Sequence, residues 1–152
     1  MTLKTILAFD FGIKSIGIAI GQNITNTATP LGSLKTINRG PDWQQIKIHL
    51  CQWQPDTIII GLPLNMDGTE QSVTRYTRLF ANQIKIRFQI PIQFHDERLT
   101  TVEARQQLFL RRGRKALTKD NIDSLSAALI LESFLENIKL NKDMYSTYTP
   151  ST

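Results

Sequence analysis

Carboxylates stand at three separated points of the chain where a carboxylate could do chemistry. Asp10 ends one apolar run, and Glu97 with its neighbour Asp96 ends another. Asp123 lies on a predicted helix, on the same face as Ala127. A few protein carboxylates together with substrate phosphate oxygens usually hold Mg²⁺, and ions held in this way hydrolyse phosphodiesters. If the three sites converge, the chemistry they predict is metal-dependent phosphodiester hydrolysis.

Each carboxylate has a plainer interpretation when it is taken alone. Asp10 could simply start a turn, and Asp96 could cap the helix that follows it. Asp123 could pair with a nearby Lys or Arg, or interact with the dipole at a helix start. Neighbouring side chains of a strand point to opposite sides, so we expect only one of Asp96 and Glu97 to face Asp10. The longer side chain favours Glu97, and Asp96 then orients Arg98 or caps the helix.

The apolar pattern predicts the elements that position these residues. In chain order it predicts strands at residues 5–11, 16–21 and 30–36, a helix starting near Pro41, a strand at residues 57–60, a helix with the core stripe Val73, Tyr76, Phe80 and Ile84, a strand at residues 90–94, a third helix after Thr100, and a last helix over residues 118–140. A hairpin followed by β-α-β crossovers predicts an α/β fold, with a mixed sheet flanked by helices. The carboxyl ends of the crossover strands meet at one edge, where open α/β sheets bind ligands.

Length and composition indicate one globular domain. The chain has 152 residues, a net charge of +5 and an aliphatic and aromatic content that is ordinary for a globular protein. We expect the domain to cover residues 1–140 and the polar residues 141–152 to form a disordered tail.

Cys51 is the only cysteine, which excludes an internal disulfide. We expect it to be buried like the helix aromatics Trp43, Trp53, Tyr76 and Phe80. No apolar run is long enough to span a bilayer and no secretory pattern opens the chain, so we expect a cytoplasmic protein with no membrane partner.

Positive charge is concentrated just before the last helix. Five basic residues lie close together there, namely Arg111, Arg112, Arg114, Lys115 and Lys119. Beside an acidic metal site, such a stretch could contact phosphates of a nucleic acid, although a charge run is usually a solvated surface.

A loop at residues 61–68 could present Asn65 and backbone amides to phosphate, or it could be only a rigid turn shaped by Pro63 and Gly68.

Four segments resemble, in order, the motifs of the YqgF-type family, the pre-16S rRNA nucleases also called Holliday-junction-resolvase-like proteins. They are residues 10–19, residues 61–70, residues 96–101 with Glu103 and Ala104, and Ile122 and Asp123 followed by residues 127–131. The resemblance extends from about residue 5 to residue 138. It departs from the family pattern at Ser15, where Arg is common, and at Gly21, where a polar residue is common. The change at Ser15 could remove a phosphate contact.

The resemblance implies a ribonuclease H-like fold with sheet order 3-2-1-4-5 and a role in maturing the 5′ end of 16S rRNA, on RNA or on the pre-ribosomal particle. It implies that Asp10, Glu97 and Asp123 are the catalytic, metal-binding residues, with Mg²⁺ or Mn²⁺ in a two-metal mechanism. The residues then expected to contact nucleic acid are Gly12, Lys14, Asn65, Arg98, Arg111, Arg112, Arg114 and Lys115.

Three other functions compete with this one. Four-way DNA junctions are an alternative substrate, and a non-catalytic RNA-binding factor of ribosome assembly is an alternative class. Against that class, a scaffold would not require Asp10, Glu97 and Asp123. Actin-like and sugar-kinase ATPases also open with an Asp-x-Gly turn between strands, but they need a second lobe with its own glycine-rich loop, and this chain has neither the length nor that motif.

Overall fold

The computed structural model describes residues 2–38, 40–100, 102–112 and 119–146. In chain order its elements are β1 (Thr5–Phe11), β2 (Ser15–Gln22), β3 (Thr27–Lys35), α1 (Trp43–Trp53), β4 (Thr57–Leu62), α2 (Ser72–Phe88), β5 (Ile92–Asp96), a 3-10 turn (Glu97–Leu99), α3 (Val102–Arg112) and α4 (Lys119–Ser146). The strands form one sheet in the order β3-β2-β1-β4-β5. The hairpin strands are antiparallel, and β4 and β5 run parallel to β1. The predicted mixed sheet and its strand order are confirmed.

Alternation along the strands divides the core into two layers. On β1, Leu7 and Phe9 are buried in the layer that contains residues of α1 and α2. The residues between them, Ile6 and Ala8, are buried in the layer that contains the apolar side chains of α4. Asp10 has the same parity as Ala8 and therefore lies on the α4 side of the sheet.

Small residues on β2 let α4 lie directly on the sheet. Gly17 and Gly21 share the α4 side of β2 with Ala19. A Cβ at Gly17 would stand 2.0 Å from the carbonyl oxygen of Asp123, and one at Gly21 would stand 2.8 Å from Cδ2 of Leu131. The alternation of isoleucine with small residues therefore does more than mark a strand, because it brings the backbone of α4, with Asp123, onto β2.

Helix α4 is longer than the sequence pattern predicts. It continues to Ser146, six residues beyond the predicted helix end at Leu140, while the tail expected over residues 141–152 stays a prediction. The polar composition after Leu140 suggested fraying, but the chain contains neither glycine nor proline from residue 114 to residue 149, so no helix breaker occurs there. Residues 147–152 lie outside the described part of the chain.

Two residues predicted to be core are exposed. Cys51 lies on the solvent side of α1, because Ile46 and Leu50 form the buried face of that helix. Tyr76 is 53% exposed. In its place α2 buries Thr77, whose hydroxyl donates to a backbone carbonyl within the same helix, so a polar residue occupies the core face at little cost.

The other predicted aromatic core residues do pack inward. Phe80 is buried, and Trp43 and Trp53 pack partly buried against the same layer. The ring of Phe80 stacks on Trp43 and meets Phe9 edge to face. Among the described helices, none has both the length and the apolar character needed to cross a lipid bilayer.

Candidate active site

Asp10 and Glu97 meet at the carboxyl edge of the parallel strands. Asp10 comes near the end of β1, and Glu97 begins the 3-10 turn directly after β5. The two carboxyl groups share a hydrogen bond. The structure therefore pairs Asp10 with Glu97 rather than with Asp96.

Gly61 of β4, the strand between β1 and β5, makes room for this contact. A Cβ at Gly61 would stand 2.8 Å from Oε1 of Glu97 and 2.5 Å from Cδ1 of Ile130 on α4. Real Cβ atoms do not come that close to other heavy atoms, so the absence of a side chain lets Glu97 reach across β4. The sequence interpretation placed residue 61 at the start of a loop, whereas the structure places it inside the strand.

The carboxyl pair holds a proton at a higher pH than an ordinary carboxyl does. Burial and the negative charges of Glu97 and Asp123 raise the pKa of Asp10 from 3.8 to about 7. Burial also raises the pKa of Glu97. Both shifts express the same fact, that negative charge is crowded into a site with little water. A cation bound there would relieve this crowding.

Asp123 lies beside the pair of Asp10 and Glu97. Its charge is near enough to raise the pKa of Asp10, and its Oδ2 accepts a hydrogen bond of 2.5 Å from the hydroxyl of Ser15. Within the described ranges, no three His, Cys, Asp or Glu side chains are gathered tightly enough to form a metal cluster. Asp10, Glu97 and Asp123 nevertheless supply the oxygen donors that Mg²⁺ and Mn²⁺ prefer, and all three are available to hold such an ion.

Asp96 supports Arg98. Its carboxylate accepts hydrogen bonds from the backbone N–H of Arg98 and from the guanidinium, where the shortest distance, Nη2 to Oδ2, is 2.7 Å. The guanidinium also reaches the carbonyl oxygen of Met66 at 3.3 Å. The hydrogen bonds to Arg98 lower the pKa of Asp96. Of the two roles predicted for Asp96, the structure shows the orientation of Arg98. Asp96 also caps an element, but this is the 3-10 turn Glu97–Leu99 and not the predicted helix, which begins at Val102.

Arg105 is a candidate site residue that the sequence interpretation missed. It lies on α3, and its positive charge is near enough to lower the pKa of both Asp10 and Glu97. Its side chain is exposed. The only signal in the sequence is that it follows Glu103 and Ala104 of the third motif, and no spacing rule shows that this face of α3 turns toward β1.

Gly12, Lys14 and Asn65 lie in loops that follow strands β1 and β4. A Cβ at Gly12 would stand 2.7 Å from the carbonyl oxygen of Ser15, so the glycine closes the tight turn after Asp10. Lys14 is exposed in that turn. The side-chain amide of Asn65 donates to Thr69 at 2.9 Å, which holds the β4–α2 loop together and favours the rigid-turn interpretation.

The basic stretch is described only in part. Arg111 on α3 forms an ion pair with Glu132 on α4, with 3.0 Å between Nη2 and Oε2. Arg112 is the last residue of α3, and its side chain lies outside the described part of the structure, as do residues Arg114 and Lys115 and the side chain of Lys119. The phosphate contacts expected from these four stay predictions.

Relatives cover almost all of the chain. A protein of Pectobacterium carotovorum is 58% identical over 136 residues, which are 90% of this chain and 98% of the relative, and one of Cronobacter sakazakii is 58% identical over 132 residues, which are 87% and 96%. Both are named "Putative pre-16S rRNA nuclease".

Solved structures agree with the fold. The fowlpox virus resolvase, in a complex with Holliday junction DNA, matches with a TM-score of 0.56 at 16% identity over 88% of this chain and 98% of the resolvase. RuvC of Thermus thermophilus matches with a TM-score of 0.52 at 13% identity over 88% and 96%. These likenesses confirm the predicted ribonuclease H-like fold.

The family model described as "RuvX: Holliday junction resolvase" matches residues 4–137. This range includes Asp10, Glu97 and Asp123 together with every strand of the sheet. The chain therefore belongs to the RuvX family, the resolvase-like nuclease family whose motifs it carries.

Proposed function

We propose that this protein is a metal-dependent nuclease that hydrolyses phosphodiester bonds of pre-16S rRNA during maturation of its 5′ end. The observation that carries the proposal is the close approach of Asp10 and Glu97, for which Gly61 makes room, with Asp123 beside them at the carboxyl edge of the sheet. The choice of pre-16S rRNA as the substrate is supported by the names of the relatives. Such a substrate places the protein in the bacterial cytoplasm.

In this proposal Asp10, Glu97 and Asp123 hold Mg²⁺ or Mn²⁺. The bound ions, two in the mechanism typical of this fold, supply activation of the attacking water and stabilisation of the leaving oxygen. Asp10 and Glu97 would hold the ions as carboxylates, because a protonated carboxyl is a poor ligand. The chain requires no cysteine or histidine nucleophile for this chemistry.

Several basic groups around the acidic site bind and orient the RNA backbone. Arg105 offsets the negative charge of the carboxylates and contacts phosphate, and Arg98 is held in place for a second phosphate by Asp96. Gly12 lets the backbone of the substrate approach Asp10, while Lys14 and the loop with Asn65 extend the contact surface. Such contacts set the position of the strand but carry no sequence information.

A second candidate substrate is four-way junction DNA. It is favoured by the description of the RuvX family and by the fold shared with the fowlpox virus resolvase. The same acidic site would serve, since the hydrolysis of DNA and RNA phosphodiesters needs the same groups.

The test compares three substrates: RNA that spans the leader and the start of 16S rRNA, pre-ribosomal particles, and four-way junction DNA. Each is incubated with the purified protein in Mg²⁺, in Mn²⁺ and in EDTA. We expect cleavage of the RNA or the particle with either metal and none in EDTA. Cleavage of the four-way junction alone would show that the substrate is DNA and not rRNA. RNA binding without cleavage of any substrate would identify an assembly factor.

A further inference from the structure

Ser124, which directly follows Asp123, joins the start of α4 to the sheet. It is 1% exposed. Its hydroxyl accepts a hydrogen bond from the N–H of Gly32 at 2.7 Å and donates one to the carbonyl oxygen of Ile18 at 3.0 Å. Gly32 and Ile18 are opposite each other on β3 and β2. The hydroxyl of Ser124 therefore bridges the two strands at this pair.

A β-bulge prepares the sheet for this bridge. Ile18 is opposite Gly32 whereas Ala19 is opposite Pro30, so β3 has one extra residue at this point. Gly32 has a φ of +100°, which glycine adopts without strain. A bulge turns backbone groups away from the regular ladder, and here it leaves the N–H of Gly32 for Ser124. The sheet thus has a specific point of attachment for α4.

Ser15 holds the side chain of the neighbouring Asp123. Its hydroxyl donates to Oδ2 of Asp123 at 2.5 Å. On the same face of β2, a Cβ at Gly17 would stand 2.0 Å from the carbonyl oxygen of Asp123. Asp123 is therefore restrained at its backbone by close packing and at its carboxylate by a hydrogen bond, and this bond occupies only one of the two carboxylate oxygens.

We infer that Ser15 and Ser124 are positioning residues for Asp123. Ser124 determines where the backbone of Asp123 stands on the sheet, and Ser15 determines how its carboxylate is turned. Such restraint is needed because Asp10 and Glu97 already crowd negative charge at this edge, so an unrestrained Asp123 carboxylate would turn toward water. The inference rests on the proposed metal-binding role of Asp123.

The experiment removes and then restores the hydroxyl of Ser15. Ser15→Ala, Ser15→Thr and Asp123→Asn are compared with the parent in kcat and KM for RNA, in Mn²⁺ affinity by calorimetry without RNA, and in melting temperature. Thr29→Ala, which removes an exposed hydroxyl from β3, is the matched control. We expect Ser15→Ala to lower kcat and Mn²⁺ affinity about 10-fold or more, as is usual when the partner of a metal ligand is removed. KM and melting temperature should stay near the parent values, and Ser15→Thr should recover most of the loss.

The outcomes separate this inference from the proposed function. If Asp123→Asn binds Mn²⁺ and cleaves RNA like the parent, the proposed metal site itself is wrong. If Asp123→Asn is inactive but Ser15→Ala matches the parent, only the positioning role is overturned. A Ser15→Thr variant as impaired as Ser15→Ala would also overturn it, because the hydroxyl would then not be the effective group. For Ser124→Ala we expect a lower Mn²⁺ affinity together with a lower melting temperature, and unchanged Mn²⁺ affinity would exclude Ser124 from the role.

Discussion

At the scale of single residues, the central feature is the raised pKa of Asp10 beside Glu97. Burial is the largest cause of the raised pKa of Asp10, and the charges of Glu97 and Asp123 add to it. Arg105 acts in the opposite direction. A site that stays partly protonated near neutral pH in the absence of metal is one where a divalent cation replaces a proton.

The raised pKa predicts how the stability of the metal-free protein depends on pH. In the folded protein the pKa of Asp10 is about 7, against 3.8 for an ordinary aspartate. Between these values the folded state binds more protons than the unfolded state, so this group's contribution to stability is present at low pH and is lost as the pH rises through about 7. In EDTA, the melting temperature of the parent should therefore fall more steeply from about pH 4 to pH 8 than that of Asp10→Asn.

Divalent metal provides the control for this comparison. With saturating Mn²⁺ the parent should gain melting temperature at about pH 8, where the carboxyls are ionised, and Asp10→Asn should gain much less. Equal pH slopes for the parent and the variant in EDTA would contradict the assignment of the proton to Asp10.

Site residues differ in how far the sequence can predict them. Side-chain length favours Glu97 over Asp96, and this prediction matches the contact of Glu97 with Asp10. In the sequence Ser15 is only a departure from the family pattern, whereas in the structure its hydroxyl donates a hydrogen bond to Asp123. The roles of Ser15 and Arg105 depend on how α3 and α4 pack on the sheet, and no local sequence pattern predicts that packing.

At the scale of elements, the site depends on how closely α4 approaches the sheet. The apolar alternation on β2 predicts the strand, but it does not show that Gly17 touches the backbone of the last helix. Likewise, the hairpin and the crossovers predict a mixed sheet, whereas its strand order is what the family resemblance implies. The bulge at Gly32 depends on the packing of Ser124. Helix α4 is nearly all apolar from Leu125 to Leu131, so a one-sided stripe on that helix could not predict which face meets β2.

Gly17→Ala should therefore destabilise the fold. Its Cβ would stand 2.0 Å from the carbonyl oxygen of Asp123, so either α4 or β2 has to move. Overpacking of this kind costs typically about 1–3 kcal/mol, and here it also displaces a metal ligand. Urea denaturation should show a lower free energy of unfolding, and Mn²⁺ affinity should fall with it.

Gly40→Ala is the matched control for Gly17→Ala. A Cβ at Gly40 would come no closer than 3.8 Å to the carbonyl oxygen of Ile37, which is an ordinary contact, so the stability should stay close to that of the parent. If both variants unfold at the same urea concentration as the parent, α4 does not lie on β2 as closely as the structure places it.

At the scale of the whole molecule, an acidic site lies in a chain whose net charge is positive. The net charge of +5 favours a polyanion partner. The basic stretch runs from the end of α3 to the start of α4, the helix that carries Asp123. Of its members, Arg111 is paired with Glu132, an exposed pair that is easily exchanged for a phosphate because surface ion pairs are weak.

Neutralising Arg111, Arg112 and Arg114 together should weaken RNA binding equally for different sequences. Each lost phosphate contact should also reduce the slope of log affinity against log salt by about 0.7 for single-stranded RNA. Fluorescence anisotropy at several salt concentrations measures both effects. An unchanged slope would show that the basic stretch does not touch phosphate.

The acidic metal site is tested most directly by cleavage of a short single-stranded RNA by the parent and by Asp123→Asn, in Mn²⁺ and in EDTA. Glu136→Gln, an exposed carboxylate on the same helix, controls for the loss of one negative charge. We expect cleavage by the parent and by Glu136→Gln in Mn²⁺ only, with none detectable from Asp123→Asn. Equal cleavage by Asp123→Asn and the parent would contradict the acidic metal site.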